Sequence, residues 1–82
     1  MKFKTYSGSI YELDQENKRI RRLTGNANPT ERQGKDGDWK PYKELLNGPE
    51  KDRSLTIVWN VTEEGVIQTT QTSYITEILV ES

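Results

Sequence analysis

The residues best suited to chemistry lie in the segment RQGKDGDWKPYKELL, residues 32–46. Arg32 and Lys35 flank a glycine, and glycines let backbone N–H groups approach an anion closely. Trp39 and Tyr42 follow, with ring faces that can stack on a nucleobase or on a partner's arginine. The pattern predicts an anion-binding loop beside two aromatic residues. The simpler interpretation of the aromatics is that they cover the core.

A second candidate site is the basic run Lys18–Arg22. If it forms a strand, Arg19 and Arg21 share one face and Arg22 lies on the other. Two parallel N–H bonds of a guanidinium match the oxygens of a phosphate or a carboxylate. The alternative is a charged edge strand whose arginines pair with nearby acids, namely Glu12, Asp14 and Glu16.

Catalysis is disfavoured by composition. The chain has no histidine and no cysteine, so the commonest general base and the strongest common nucleophile are both missing. No pair of carboxylates stands out, and Asp36-Gly37-Asp38 lacks the repeated ligand positions of a calcium loop. We expect a binding protein rather than an enzyme, with no metal and no cofactor.

The length and composition predict a single small domain, residues 1–82. A chain of 82 residues buries only about 60–65% of its unfolded surface, so self-association would add useful buried area. We therefore expect a homo-oligomer. No apolar leader and no run of about 20 apolar residues is present, which predicts a soluble protein of the cytoplasm.

Charge is unevenly distributed along the chain. Residues 1–43 carry ten lysines and arginines against six acids, whereas residues 44–82 carry two against seven. This division can build one basic face and one acidic face. Overall positive charge is lower than in typical nucleic-acid binders.

The elements that would position these residues are mainly strands. Residues 2–13 read as two strands around Ser7-Gly8-Ser9, and residues 18–23 as a third with a possible bulge, which makes a meander. Residues 54–60 alternate strictly and predict the best strand. Residues 66–80 predict a long threonine-rich strand that breaks near 71–73, whose hydroxyls suit either a solvent-facing strand, a ligand or an oligomer edge.

Between these strands, residues 24–38 have loop composition, and Trp39, Tyr42, Leu45 and Leu46 have the spacing of one helix face. We therefore predict one short helix near residues 39–47. The fold class is mainly β: a small bent antiparallel sheet or partly open barrel of five to six strands, with that helix.

Five stretches together resemble small uncharacterised proteins of tailed bacteriophages. They are SGSIYELD, NKRIRRLTG, PTERQGKDGDWKPY, SLTIVW and TTQTSYITEI, and the resemblance extends over nearly the whole chain. The core RQG-x-DG-x-W is the most specific of these motifs. The resemblance implies a phage accessory protein in the bacterial cytoplasm, where such proteins bind a host component or capture a defence signal.

The leading hypothesis is therefore an anti-defence protein that captures an anionic small molecule, such as a nucleotide signal. The expected ligand-binding residues are Arg19, Arg21, Arg22, Arg32, Lys35, Trp39 and Tyr42. The alternatives are an inhibitor that binds a host protein, a single-stranded nucleic-acid binder and a minor structural component of the phage. Readout of double-stranded DNA is disfavoured because no recognition helix is predicted.

Overall fold

The computed structural model describes residues 1–25 and 35–80, and in these ranges it has eight short strands and no helix. Two antiparallel sheets are formed, with strand orders β4-β3-β2-β1-β8 and β5-β6-β7, and they do not close into a barrel. The mainly β prediction is confirmed. The strands are β1 (Lys2–Thr5), β2 (Ile10–Asp14), β3 (Arg19–Thr24), β4 (Lys40–Pro41), β5 (Glu44–Leu45), β6 (Thr56–Val61), β7 (Ile67–Gln71) and β8 (Ile75–Val80).

The first three strands form the predicted meander. Alternation turns Phe3 and Thr5 of β1 inward, and both are buried. Leu13 of β2 is buried on the same side, where the ring of Tyr11 stacks on Phe3 with centroids 5.3 Å apart. The turn between β1 and β2 contains Gly8 at φ 90°, a left-handed conformation that glycine adopts without steric cost.

The third strand contains the irregularity that its sequence suggests. Arg22 pairs with Tyr11 and Thr24 pairs with Ile10, which leaves Leu23 as an extra residue on β3. An extra residue of this kind is a β-bulge, and it bends the strand and increases its twist. The bend lies at the end of β3 that leads into residues 26–34.

The predicted helix near residues 39–47 is wrong, because this segment forms β4 and β5 instead. Two helical turns are too short to be stable alone. The edges of both sheets offer backbone partners that such a helix would leave unused. Tyr42 N–H donates to the Lys18 carbonyl at 2.9 Å, and Lys43 N–H donates to the Val58 carbonyl at 2.8 Å. The segment thus passes from the larger sheet to the smaller one.

The chain returns to the larger sheet between β7 and β8, and the predicted break near residues 71–73 is confirmed. Thr72 and Leu55 are held together twice here. Thr72 N–H donates to the Leu55 carbonyl at 2.9 Å, and Leu55 N–H donates to Thr72 Oγ1 at 3.0 Å. Ile75 N–H then donates to the Arg53 carbonyl at 2.9 Å. These bonds attach the entry of β6 to both β7 and β8.

The hydrophobic core lies between the two sheets. Its side chains come from the meander, from both crossing segments and from β6, and several have no exposed surface at all. This arrangement leaves the outer face of β3 uncovered by the smaller sheet. The buried cluster consists of Phe3, Leu13, Ile20, Tyr42, Leu55, Ile57 and Ile75.

Two isoleucines on neighbouring strands provide a matched test of this core. Ile57 is completely buried, whereas Ile67 is 56% exposed. We expect Ile57→Ala to lower the free energy of unfolding by about 2–5 kcal/mol, because it removes apolar contacts and leaves a cavity. Ile67→Ala should change it by less than about 0.5 kcal/mol. Urea denaturation of both variants measures the difference, and equal effects would contradict the assignment of the core.

Candidate functional site

The basic run of β3 divides between two faces of the sheet, as its alternation predicts. Ile20 and Arg22 point inward and are buried, with 0% and 5% of their surface exposed. Arg19 and Arg21 lie on the outer face and are partly exposed. Only the outer pair is therefore available to form a surface site.

Trp39 joins these two arginines. It lies immediately before β4, and β4 pairs with the start of β3 through Ile20 and Lys40. The Cζ atoms of Arg19 and Arg21 lie 4.4 Å and 4.5 Å from the centre of the Trp39 ring. Both distances are within the range of a cation–π interaction. We call these three residues the arginine–tryptophan stack.

Carboxylates on β2 hold both arginines of the stack in place. The strand register sets Asp14 opposite Arg19 and Glu12 opposite Arg21. Arg19 Nε donates to Asp14 Oδ2 at 2.9 Å, and Arg21 Nε donates to Glu12 Oε1 at 2.8 Å. Each guanidinium is therefore oriented by an acid below and an aromatic ring beside it. Its charge is largely neutralised before any ligand arrives.

A cleft of about 500 Å³ lies beside the stack. Ligand pockets usually have volumes of roughly 300–1,000 Å³. Three carboxylates contribute to this cleft, and among the described residues Glu16 is the one of them without an ion-pair partner. We call it the acidic cleft, and it is lined by Met1, Glu12, Leu13, Asp14, Gln15, Glu16, Arg19 and Trp39.

The hydrogen bonds around Asp14 stabilise its ionised form. Asn17 Nδ2 donates to Asp14 Oδ2 at 2.9 Å, and the Asn17 backbone N–H donates to Oδ1 at 3.2 Å. Together with the Arg19 guanidinium, these donors lower the pKa of Asp14. The carboxylate therefore stays charged and keeps Arg19 positioned throughout the neutral range.

Arg22 has a structural position on the inner face. Its Nε donates to Asp36 Oδ1 at 2.7 Å and its Nη2 to Asp36 Oδ2 at 3.3 Å, which is a two-pronged contact. Gly25 packs against it, since a Cβ atom there would lie 2.7 Å from Arg22 Nη1 and 2.8 Å from Ser9 Oγ. This ion pair connects the chain before residue 26 to the chain after residue 34.

The remaining predicted site residues are dispersed. Tyr42 belongs to the core, where burial and the nearby Asp14 carboxylate raise its pKa. Lys35 is exposed and lies next to the residue that pairs with Arg22. Arg32 falls outside the described residues. Of the seven candidates, the structure thus brings together Arg19, Arg21 and Trp39.

The acids of β2 complete the site, and the sequence offered them only as structural partners. The sequence pattern that could have predicted their role is a pair of acids two residues apart, Glu12 and Asp14. A tight turn follows, and then two arginines with the same spacing. In a hairpin, that spacing places opposite charges across from each other. Glu16 lies in the turn itself and adds a negative charge that no arginine of the described residues pairs with.

The threonine-rich strip of β7 has structural partners as well as exposed positions. Trp59 Nε1 donates to Thr70 Oγ1 at 2.8 Å. Thr72 is buried, and its hydroxyl binds both the Leu55 N–H and the Ser73 carbonyl. The end of the strip, near Ser73, reaches a concave part of the surface.

In the part of the chain that the structure describes, no group of three or more His, Cys, Asp or Glu side chains could hold a metal ion. Within residues 1–25 and 35–80, no helical segment has the length and apolar character that crossing a membrane requires. Comparisons with family models, curated proteins and solved structures gave no match to this chain.

The Arg22–Asp36 pair leads to a stability prediction. Asp36→Ala removes two hydrogen bonds from a buried guanidinium, so we expect the free energy of unfolding to fall by about 1–3 kcal/mol. Asp38→Ala is the matched control, because Asp38 is exposed and its side chain forms no hydrogen bond or ion pair with the described residues. Chemical denaturation compares the two variants, and a smaller loss for Asp36→Ala would refute the structural role of the pair.

The lowered pKa of Asp14 leads to a prediction about acid. A depressed pKa in the folded state contributes stability above about pH 4, the ordinary range for an unfolded aspartate, and this stability disappears as the pH falls through the folded value. We expect the wild type to be more stable than Asp14→Asn at neutral pH and the gap to narrow in acid. Denaturation curves across pH test this, and a gap independent of pH would contradict it.

Proposed function

We propose that this protein acts by binding another protein, without catalysis, through the arginine–tryptophan stack and the acidic cleft beside it. Tryptophan and arginine are among the residues whose truncation most often weakens protein–protein binding. The stack holds both types in fixed positions before a partner arrives. Binding would therefore lose little side-chain entropy, which is one of the main costs of forming an interface.

The charges of the site favour a basic group on the partner. Arg19 and Arg21 are already matched by Asp14 and Glu12, so the outer face of β3 presents little net positive charge. The carboxylate of Glu16, which has no ion-pair partner among the described residues, lies at the cleft beside them. A lysine or arginine side chain entering the cleft would meet this carboxylate and the wall formed by Trp39. The observation that carries the proposal is the arrangement of charges: two arginines already paired with carboxylates, beside the carboxylate of Glu16.

The resemblance to small phage proteins suggests a biological setting for such binding. A phage accessory protein that covers a host protein, including a defence protein, needs a preorganised surface and no catalytic group. The stack and the cleft are consistent with that role. In this setting the partner is a bacterial protein with an exposed basic side chain.

Capture of an anionic small molecule is a second candidate function, and one observation favours it. The side chain of Arg19 is 43% exposed, and its terminal Nη nitrogens form no hydrogen bond with the described residues. Those nitrogens could reach the phosphate of a nucleotide signal. Lys18 and Lys35 are also exposed, but the acids of β2 would oppose the same phosphate.

Action in the cytoplasm and self-association remain predictions. The candidate surface for self-association is the turn between β6 and β7, where Val61, Val66 and Ile67 are exposed. Val61 and Ile67 are cross-strand partners and contribute to one small apolar patch. Such a patch suits a copy of the same chain, since exposed apolar groups favour association.

Reversal of a single charge tests the proposed function. We expect a fluorescent peptide rich in lysine and arginine to bind the wild type, and Glu16→Lys to weaken binding by about tenfold or more, because it replaces attraction with repulsion in the cleft. Fluorescence anisotropy gives both affinities. No binding of the peptide to the wild type would refute the proposal.

The control is Glu63→Lys, which makes the same charge change at an exposed turn residue outside the cleft. It should leave peptide binding close to that of the wild type. Glu16→Lys also distinguishes the second candidate function, because it is expected to change the affinity for an anion in the opposite direction. If a nucleotide or a cyclic or ADP-ribose-derived signal binds the stack, Glu16→Lys should strengthen that binding, whereas Arg19→Ala should weaken it.

A further inference from the structure

Two tyrosines form a separate exposed surface, one just after the end of β1 and the other just before the start of β8. Tyr6 is 80% exposed and Tyr74 is 63% exposed. Tyr6 N–H donates to the Tyr74 carbonyl at 2.7 Å, so the two residues are cross-strand neighbours. The adjacent pair, Thr5 and Ile75, is buried. The large exposed fractions of Tyr6 and Tyr74 show that both rings face solvent, unlike this buried pair.

A groove runs from these tyrosines along the junction of the two sheets. It consists of two hollows of about 350 Å³ and 290 Å³, which share Ser54, Gln71 and Tyr74 and are therefore adjacent. We call it the tyrosine groove. It is lined by Tyr6, Asn47, Asp52, Arg53, Ser54, Thr56, Gln71, Thr72, Ser73 and Tyr74.

The lining of the tyrosine groove selects for a particular kind of ligand. It contains no aliphatic side chain, and the two tyrosine rings are the largest apolar groups in its lining. Its two charged residues, Asp52 and Arg53, have opposite signs. A protein partner usually inserts an apolar or aromatic anchor into a matching pocket, and an anion requires net positive charge. The groove meets neither requirement.

The polar groups of the groove are already fixed by short hydrogen bonds. Gln71 Nε2 donates to Ser54 Oγ at 2.9 Å, and the hydroxyls of Ser73 and Ser7 lie 3.0 Å apart. The Ser7 backbone N–H also donates to Ser73 Oγ at 3.2 Å. These contacts leave hydroxyl and amide groups at defined positions beside the two rings. The exposed end of the threonine-rich strip thus becomes part of a site.

We propose that the tyrosine groove binds a neutral oligosaccharide. A pyranose ring has a flat face of C–H groups that packs on an aromatic ring, and its hydroxyls exchange hydrogen bonds with amides and hydroxyls. The groove supplies both kinds of contact and carries no net charge. Two adjacent hollows offer room for more than one sugar residue. The protein then has two independent binding surfaces, because the tyrosine groove and the acidic cleft share no lining residue.

A titration followed by nuclear magnetic resonance tests this inference. Cello-, malto- and chito-oligosaccharides are added separately to the isotope-labelled protein, and amide shifts are recorded. We expect at least one of the three to shift the amides of Ser54, Gln71, Ser73 and Tyr74 in a saturable way. The amides around Glu16 and Trp39 should not move. No saturable shift in the groove with any of the three sugars overturns the proposal.

Variants of the tyrosines show whether the rings carry the binding. Tyr74→Ala should weaken it by about tenfold, whereas Tyr74→Phe, which keeps the ring, should retain it within about threefold. Leu79→Ala is the control, an exposed side chain near the far end of β8, and it should bind like the wild type. Because Tyr6 and Tyr74 are mostly exposed, Tyr6→Ala offers a second variant that keeps the fold. Unchanged affinity in both alanine variants overturns the proposal.

Discussion

Residues 40–46 form backbone hydrogen bonds with both sheets, and the rest of the structure depends on this connection. The Tyr42 N–H bonds to the chain just before β3, and the Lys43 N–H bonds to β6. The Tyr42 ring is buried between the sheets. Because β4 is held against β3 at this crossing, Trp39 arrives beside Arg19 and Arg21. The candidate site is therefore a consequence of how the two sheets are connected.

Much of the fold could be predicted from alternation and turn residues. The meander, the strand at β6 and the break before Ile75 each follow from a period of two bounded by glycine or polar residues. The segment from Trp39 to Leu46 could not be predicted in this way. Its apolar spacing fits one helical face, but it also fits two short strands that turn their aromatic residues inward. The segment forms strands because it pairs with strand edges distant in sequence, and local spacing carries no information about those edges.

The candidate site, too, could be predicted only where it depends on local sequence. The separation of Arg19 and Arg21 from Arg22 depends only on alternation within one strand, so it could be predicted. The ion pairs with Asp14 and Glu12 depend on the register of a hairpin, and the turn that sets this register includes Lys18 at φ 50°, an uncommon conformation for a lysine. The contact with Trp39 depends on a pairing across residues 26–34.

The pairing of β1 with β8 has a consequence for the time course of folding. Phe3 pairs with Ile78, so the first strand is completed by the last one described. Closing so long a loop is slow compared with forming the neighbouring hairpin of β1 and β2. We therefore expect the pairing of β1 with β2 to precede the docking of β8, which covers the second flank of Phe3.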